Sequence, residues 1–272
     1  MIPKIVHQTW KTDSLPSIFQ AIYNNNKETN PNFEFKLWHD TPGTTDIEQF
    51  MKTEYKELYD IFNKCKYGVQ KADISRIVLL YHYGGVYIDL DILTLKKLDE
   101  LIDFDSDFFY VSMEPKEQTK MLYQKDNMVC NAFFATPAKH PVMQKALEQI
   151  VRIWKNNGDQ IMNKFNIFGT DIISYAMTCS TDIYSQCKII NRDLIYPIND
   201  PKLEQLECSE KTIKLLKEGV YPGSYMIHYW IHSNFESIQL LHNFQYNKNN
   251  TIHENIFNFF KQLYPSHKYL RI

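Results

Sequence analysis

Three features are scarce or absent in this 272-residue sequence, and each absence excludes a class of protein. No apolar run reaches the roughly 18–20 residues that a membrane-spanning helix needs, and the first residues resemble a strand instead of a signal peptide, so we expect a soluble, cytoplasmic chain. The 5 cysteines include no Cys-x-x-Cys pair, which argues against a zinc or redox motif, and their odd number favours reduced thiols. A formal net charge of -2 gives no long-range attraction to nucleic acid or anionic lipid.

Aromatic residues, in contrast, are abundant. They make up 14% of the chain, which would suit stacking on nucleobases and sugar rings, although Phe and Tyr also fill ordinary cores. No repeat, linker or low-complexity segment divides the sequence. Its length therefore predicts one domain over residues 1–272.

Predicted strands alternate with predicted helices in the first third of the chain, where strands are expected at 4–9 and 33–38 and helices at 15–30 and 46–64. Such alternation indicates an α/β fold, with a mostly parallel sheet flanked by helices. Ligands of such sheets bind at the carboxyl ends of the strands. The segments at those ends are Thr9-Trp10, Trp38-His39 and Asp89 to Asp91.

The second half gives a more mixed pattern. It predicts strands at 107–112, 128–135 and 225–231, and helices at 140–156, 169–178 and 252–263.

The most informative pattern is an apolar helix that stops at Gly84-Gly85 and is followed by a strand ending in Asp89-x-Asp91. Because side chains alternate along a strand, the two carboxylates are expected on one face. An arbitrary Asp-x-Asp is more often a solvated strand end. Here the glycine pair allows close approach of a backbone or ligand, and paired carboxylates stay ionised together when they bind Mg²⁺ or Mn²⁺.

The helix before this strand carries Asp73 and Arg76, which are three residues apart and share a face. A surface ion pair of this kind contributes only about 0.2–0.5 kcal/mol. Stability alone therefore gives little reason for the pair, whereas a carboxylate and a guanidinium suit the binding of sugar hydroxyls.

These residues resemble the signature of the family 32 glycosyltransferases, which includes fungal α-1,6-mannosyltransferases, capsule glycosyltransferases and clostridial toxin glucosyltransferase domains. The ordered matches are residues 72–76 and 83–91, the first strand at 2–10, the second at 33–40, and weaker similarity at 130–134 and 227–230. Many relatives end the last motif in Ser-Trp, but here Ser233 is followed by Asn234. The resemblance implies a glycosyltransferase-A-type, Rossmann-like fold, with residues 1–95 binding the nucleotide sugar and 96–272 facing the acceptor.

The resemblance also implies a retaining hexosyltransferase that depends on Mn²⁺ or Mg²⁺. Asp89 and Asp91 would hold the ion against the donor's diphosphate and, with Arg76, form the catalytic group. His228 is the best candidate to complete the metal shell from the C-terminal segment, and His232 is the alternative.

For the nucleotide-sugar donor, Trp10 would stack on the base and Thr9 would bind its edge, while Asp73 and Arg76 would bind the sugar. Tyr87 and Asn131 are further donor-binding candidates. The donor is expected to be a UDP-sugar, with GDP-mannose as the alternative, and the acceptor a glycan or a protein-linked hydroxyl. Asp171 is interpreted as a carboxylate at a helix N-terminus.

Two other functions remain open at this point. Haloacid dehalogenase-like phosphohydrolases also end a strand in Asp-x-Asp, but they have Thr or Val four residues after the first Asp, where this chain has Leu93. A catalytically silent sugar-binding protein is the second alternative. Nothing in the sequence indicates loss of catalysis, because both carboxylates and the Asp73/Arg76 pair are present.

Overall fold

A computed structural model describes residues 1–43, 45–164, 167–203, 209–232, 235–267 and 270. Six strands form one sheet in the order β2-β1-β3-β6-β5-β7. They are β1 (Ile5–Thr9), β2 (Glu34–Trp38), β3 (Gly85–Ile88), β5 (Phe109–Met113), β6 (Val129–Thr136) and β7 (Cys187–Ile190). A separate two-stranded sheet pairs β4 (Ile92–Thr94) with β8 (Met226–His228).

Only β6 runs against the other strands of the large sheet. The predicted α/β fold with a mostly parallel sheet is therefore confirmed. Because β6 is antiparallel, its first residues lie at the same edge as the last residues of β3 and β5. This edge collects side chains from both halves of the sequence.

Eleven α-helices surround the sheets in the part of the chain that the structure describes. In the first half they are α1 (Ser17–Thr29), α2 (Ile47–Glu54), α3 (Lys56–Asn63), α4 (Gly68–Tyr83) and α5 (Lys116–Tyr123). In the second half they are α6 (Pro141–Asn157), α7 (Thr170–Thr178), α8 (Thr181–Tyr184), α9 (Ser209–Glu218), α10 (Phe235–Asn243) and α11 (Ile252–Leu263). No helix among the described residues has the length and hydropathy to cross a membrane; a cytoplasmic location stays a prediction.

The helices cover both faces of the sheet, and each face has its own apolar core. Side chains of α1 and α11 pack on one face, with Ile88 among them, and side chains of α4, α6 and α7 pack on the other, with Tyr87 among them. Because neighbouring side chains along β3 point to opposite faces of the sheet, this strand contributes to both cores. The four cysteines that the structure describes are free, as expected, and Cys208 lies outside the described residues.

Three sequence-based boundaries were wrong. The helix expected at 46–64 is two helices, because the chain turns at Tyr55, whose φ is -139°. The strand expected at 225–231 is only the three residues of β8, and Trp230 has a φ of 56°, which lies outside the range of strand residues. The strand before the acidic pair ends at Ile88, so Asp89 and Asp91 lie in a turn, closed by the bond from the Ile92 N–H to the Asp89 carbonyl at 3.0 Å.

His7 fixes the start of the sheet from inside the core. Its Nδ1 accepts from the Trp38 indole Nε1–H at 3.0 Å, and its Nε2–H donates to the Gly84 carbonyl at 3.0 Å. Burial lowers the pKa of His7 to about 4, which keeps the ring neutral, as this bonding pattern requires. Trp38, which was expected at the ligand edge, is instead buried and packs in the apolar core.

Gly84 and Gly85 are required by close backbone packing. Both have positive φ angles, 66° and 97°. A Cβ on Gly84 would lie 2.5 Å from the Ala138 nitrogen, and one on Gly85 would lie 2.5 Å from the Ile5 carbonyl oxygen. The close approach inferred from sequence is therefore confirmed, and the approaching groups are neighbouring segments of this chain.

We expect Gly85→Ala to lower the free energy of unfolding by about 2 kcal/mol more than Gly158→Ala. Gly158 also has a positive φ, 58°, but a Cβ there meets nothing within 4 Å. Comparing the two variants therefore separates the effect of steric overlap from that of backbone strain, and urea unfolding of both measures the difference. Equal losses of unfolding free energy would show that the overlap with β1 does not destabilise the fold.

Candidate active site

The turn between β3 and β4 places the two carboxylates at the ligand edge of the sheet. One ligand atom each from Asp89, Asp91 and His228 lies within 4.8 Å of the others, and this is the metal-capable group found among the described residues. The expected proximity of the carboxylates is observed, but strand alternation does not cause it. It arises from the turn and from the pairing of the strand that follows it.

His228 reaches the pair because β8 lies antiparallel to β4, with Ile92 opposite His228. Helix α1 holds β4 in place through Asn26, whose amide donates to the Ile92 carbonyl at 2.8 Å and accepts from the Thr94 N–H at 2.7 Å. The Trp230 ring then packs against the His228 ring, with centroids 4.1 Å apart. A residue that is 137 positions away in the sequence is thereby fixed beside Asp91.

Asp91 is held by the segment that contains and follows β8. Its carboxylate accepts from the Ile231 N–H at 2.7 Å and lies 3.2 Å from His228 Nε2, and its carbonyl accepts from the Tyr229 N–H at 3.0 Å. Burial alone would raise the pKa of Asp91, but His228 and the Ile231 amide hold it below its usual range. The carboxylate is thus kept ionised, as a metal ligand must be.

Asp89 is held by a second network centred on Arg76. The Arg76 guanidinium lies 3.2 Å from a carboxylate oxygen of Asp89 and 3.2 Å from one of Asp73, and it also donates to the Asn131 carbonyl. The Asn131 amide in turn donates to Asp73 at 2.9 Å. The pair predicted on the helix is therefore buried, and it extends to the acidic turn and to β6.

The electrostatics of this network are dominated by burial. Burial raises the pKa of Asp73 to about 6, against the stabilising charge of Arg76. Burial and the neighbouring Asp91 raise the pKa of Asp89, while Arg76 lowers it. Arg76 is accordingly the positive charge that favours the ionised forms of both the buried Asp73 and the partly buried Asp89.

Thr9 and Tyr87 support Asp89 from β1 and β3. The Tyr87 hydroxyl donates to Asp89 at 3.0 Å and accepts from the Thr9 hydroxyl at 3.1 Å, and Tyr87 is buried beneath the Arg76 guanidinium. Their observed contacts position a carboxylate. Direct contact of Thr9 or Tyr87 with a donor stays a prediction.

Trp10 lies at the end of β1, half-buried, with its ring edge-on to Phe19 at 5.3 Å. Its indole nitrogen is buried and has no hydrogen-bond partner among the described residues. Asp171 lies in the first turn of α7, exposed and 3.5 Å from the Lys125 ammonium, which agrees with its interpretation as a carboxylate at a helix N-terminus.

Sequence analysis missed two carboxylates at this edge, Glu114 and Asp200. Glu114 directly follows β5 and is 5% exposed, and Asp200 accepts from His232 Nε2 at 2.8 Å. His232 is thus bonded to Asp200 and lies outside the metal-capable group. Glu114 lies just beyond the strand predicted at 107–112, and an acidic residue at such a strand end is a local signal that could have identified it. Ser233 and Asn234 lie outside the described residues.

The donor set of Asp89, Asp91 and His228 fits a divalent cation. Two carboxylate oxygens and one imidazole nitrogen suit Mn²⁺, and the oxygens also suit Mg²⁺. Asp91 is held ionised and His228 Nε2 lies 3.2 Å from it, so the atoms that would bind a cation are already close together.

Comparison with known proteins agrees with the site. Residues 16–108 match the family described as "Glycosyltransferase sugar-binding region containing DXD motif". This range includes the Asp73/Arg76 pair, both glycines and the acidic turn.

Among curated proteins, the chain is similar to "Inositol phosphoceramide mannosyltransferase 1" of Schizosaccharomyces pombe, with 33% identity over 55% of this chain and 43% of that protein. It is similar to "Mannosyl phosphorylinositol ceramide synthase SUR1" of Saccharomyces cerevisiae, with 33% identity over 55% of this chain and 35% of that protein. The aligned part is thus less than half the length of these relatives. A protein of Acanthamoeba polyphaga mimivirus, "Uncharacterized glycosyltransferase L373", is 26% identical over 73% of this chain and 74% of its own length.

Among solved structures, "PaToxG Glycosyltransferase" has a TM-score of 0.50 at 14% identity, covering 98% of this chain and 88% of its own. The glycosyltransferase domain from the YGT toxin in its ligand-free form has a TM-score of 0.50 at 10% identity, covering 70% of this chain and 80% of its own. These similarities confirm the fold.

Proposed function

From the glycosyltransferase sugar-binding region that this chain carries at residues 16–108, we propose that the protein is a metal-dependent retaining glycosyltransferase that moves a hexose from a nucleotide sugar to a hydroxyl acceptor. The observation that carries the proposal is the convergence of Asp89, Asp91 and His228 beside the buried Asp73/Arg76 pair. A cation site next to hydroxyl-binding groups is what a sugar diphosphate requires.

In this proposal residues 1–95 bind the donor and residues 96–272 supply the acceptor side. Mn²⁺ or Mg²⁺ would be held by Asp89, Asp91 and His228, and it would neutralise the charge of the departing diphosphate. Trp10, at the end of β1, supplies a ring face for the base, and Thr9 and Tyr87 keep Asp89 in place. Asp73, Arg76 and Asn131 orient the donor sugar.

The proposed reaction is front-face substitution. The acceptor oxygen forms the new bond at the anomeric carbon as the bond from that carbon to the phosphate oxygen breaks, and the acceptor proton passes to the leaving phosphate. No dedicated protein nucleophile is needed, and the configuration at the anomeric carbon is retained. Arg76 and Asp91 contribute by holding their partners in fixed positions.

The donor nucleotide is proposed to be UDP, with GDP-mannose as the alternative, since a relative is named a mannosyltransferase. The acceptor is proposed to be a glycan or another hydroxyl compound. Incubation with a panel of UDP- and GDP-sugars plus Mn²⁺ should release nucleoside diphosphate slowly, and EDTA should stop the release.

Other results of the same experiment would contradict the proposal. Release of inorganic phosphate from phosphomonoesters, without attack on nucleotide sugars, would indicate a phosphohydrolase. Metal-dependent binding of a donor with no turnover would indicate a sugar-binding protein. Release that continues in EDTA would remove the cation from the mechanism.

A further inference from the structure

Glu114 is a buried carboxylate that the proposed mechanism does not use. It follows β5 at the edge where Asp89 follows β3, and β6 lies between these two strands. The Asp89 N–H donates to the Ala132 carbonyl and the Glu114 N–H donates to the Met128 carbonyl, so the two residues flank the first part of β6 at levels four residues apart. Asn131, near the start of β6, lies between them.

Glu114 belongs to a group of polar side chains contributed by four segments. The Gln118 amide, on α5, lies 3.5 Å from a Glu114 carboxylate oxygen, and its carbonyl oxygen accepts from the Asp200 N–H at 2.9 Å. The Asp200 carboxylate bonds His232 at 2.8 Å. We refer to Glu114, Gln118, Asp200 and His232 as the Glu114 cluster.

The bonds within this cluster leave hydrogen-bonding capacity unused. No Lys or Arg among the described residues forms an ion pair with Glu114, and its burial raises its pKa to about 7. The hydroxyl of Tyr196, a residue that is 2% exposed, is buried and lacks a hydrogen-bond partner among the described residues. Burial raises the pKa of Tyr196 most, followed by the neighbouring Cys130, and the Tyr196 ring lies 5.8 Å from the His228 ring.

Buried polar groups without partners are uncommon in folded proteins, and at a ligand edge they indicate a polar ligand. The cluster offers carboxylate acceptors, an amide and an imidazole. Carboxylates accept hydrogen bonds from neighbouring hydroxyls, and the amide and imidazole can donate to a hydroxyl or ring oxygen. Such a set suits a molecule with adjacent hydroxyl groups.

We propose that the Glu114 cluster is the acceptor subsite and binds adjacent hydroxyls of a pyranoside or cyclitol. This inference rests on the proposed function. The strand order β1-β3-β6-β5 supports it, because Trp10, the acidic turn and Glu114 follow β1, β3 and β5, and Asn131 lies near the start of the antiparallel β6. Base, diphosphate and donor sugar would occupy the first three positions, and the acceptor the fourth.

The test compares transfer with donor hydrolysis. Wild-type protein and Glu114→Gln are incubated with Mn²⁺, the donor that wild type hydrolyses, and methyl α-mannoside, methyl α-glucoside, methyl β-galactoside or myo-inositol. The expected result is that wild type glycosylates at least one of these compounds. In Glu114→Gln the ratio of transfer to hydrolysis should fall about tenfold or more, with a raised acceptor KM, because one buried carboxylate partner is lost.

Glu117→Gln is the matched control, since Glu117 is exposed in the first turn of α5, three residues after Glu114, and the charge change is identical. Asp200→Asn repeats the test if Glu114→Gln does not fold, because the amide that replaces the carboxylate keeps an oxygen for His232. The inference is overturned if the ratio of transfer to hydrolysis is unchanged in both variants. It is also overturned if wild type hydrolyses the donor but transfers sugar to none of the compounds. Either result leaves the proposed function intact. Absence of any nucleoside diphosphate release by wild type overturns both.

Discussion

Asp91→Asn should reduce nucleoside diphosphate release by about 10³-fold or more and should abolish tight Mn²⁺ binding, since a bound cation stabilises the transition state by several kcal/mol. The amide oxygen can still accept from the Ile231 N–H, which the carboxylate now does at 2.7 Å. The fold should therefore survive. What is lost is the negative charge that His228 and the cation share.

Two measurements decide this prediction. Mn²⁺ affinity is measured by calorimetry in the absence of nucleotide, and release is measured with the donor that wild type uses. Asp60→Asn is the control, because Asp60 is exposed on α3 and the substitution is the same. Normal Mn²⁺ binding by Asp91→Asn would exclude Asp91 as a ligand even if activity were lost.

Arg76→Met should have the largest effect on stability, lowering the free energy of unfolding by about 3–5 kcal/mol. The Arg76 and Asp73 side chains are 6% and 2% exposed, and the guanidinium is the cation bonded to both Asp73 and Asp89. Methionine keeps much of the apolar stem over the Tyr87 ring but leaves the buried Asp73 carboxylate and the partly buried Asp89 carboxylate without their partner.

The loss should also grow with pH. Burial already raises the pKa of Asp73 to about 6, and removing Arg76 raises it further. A carboxyl with a raised pKa in the folded state binds its proton more tightly there than in the unfolded state, so stability falls as pH rises from about 4 through that folded pKa. The free energy of unfolding of Arg76→Met should thus be closest to that of wild type near pH 4, the acidic end of this range.

Urea unfolding between pH 4 and pH 8 tests both statements. Arg152→Met is the control, since Arg152 is exposed on α6 and lies over the Tyr175 ring at 5.1 Å. The double variant Arg76→Met/Asp73→Asn should recover part of the loss, because one unpaired charge is removed with its partner. A loss below about 1 kcal/mol at pH 8 would show that the two carboxylates do not depend on Arg76.

Local patterns in the sequence identified most of the parts of this site. The Gly84-Gly85 pair, the Asp73/Arg76 spacing and the Asp-x-Asp turn lie within 20 consecutive residues, so their proximity follows from one helix and one strand. The reason given for the proximity of the carboxylates was nevertheless wrong. Strand alternation was assumed to continue through Asp91, and the chain turns after Ile88 instead.

Long-range pairing supplied what local patterns do not contain. His228 was identified by resemblance, but its place beside Asp91 depends on the pairing of β8 with β4 and on the packing of the Trp230 ring against it. Glu114 and Asp200 were missed, since they reach the site only because β5 lies beside β6 and the segment after α8 returns to the same edge.

The sequence by itself determined the alternation of strands and helices, the glycine turn and the presence of two adjacent carboxylates, because each depends on residues that are near one another in the chain. Only the tertiary structure decided that Arg76 joins Asp73 to Asp89, that His228 stands at Asp91, and that Glu114 lies one strand beyond Asn131. Strand order and register bring together residues that are far apart in sequence, and neither is encoded by the periodicity of a single segment.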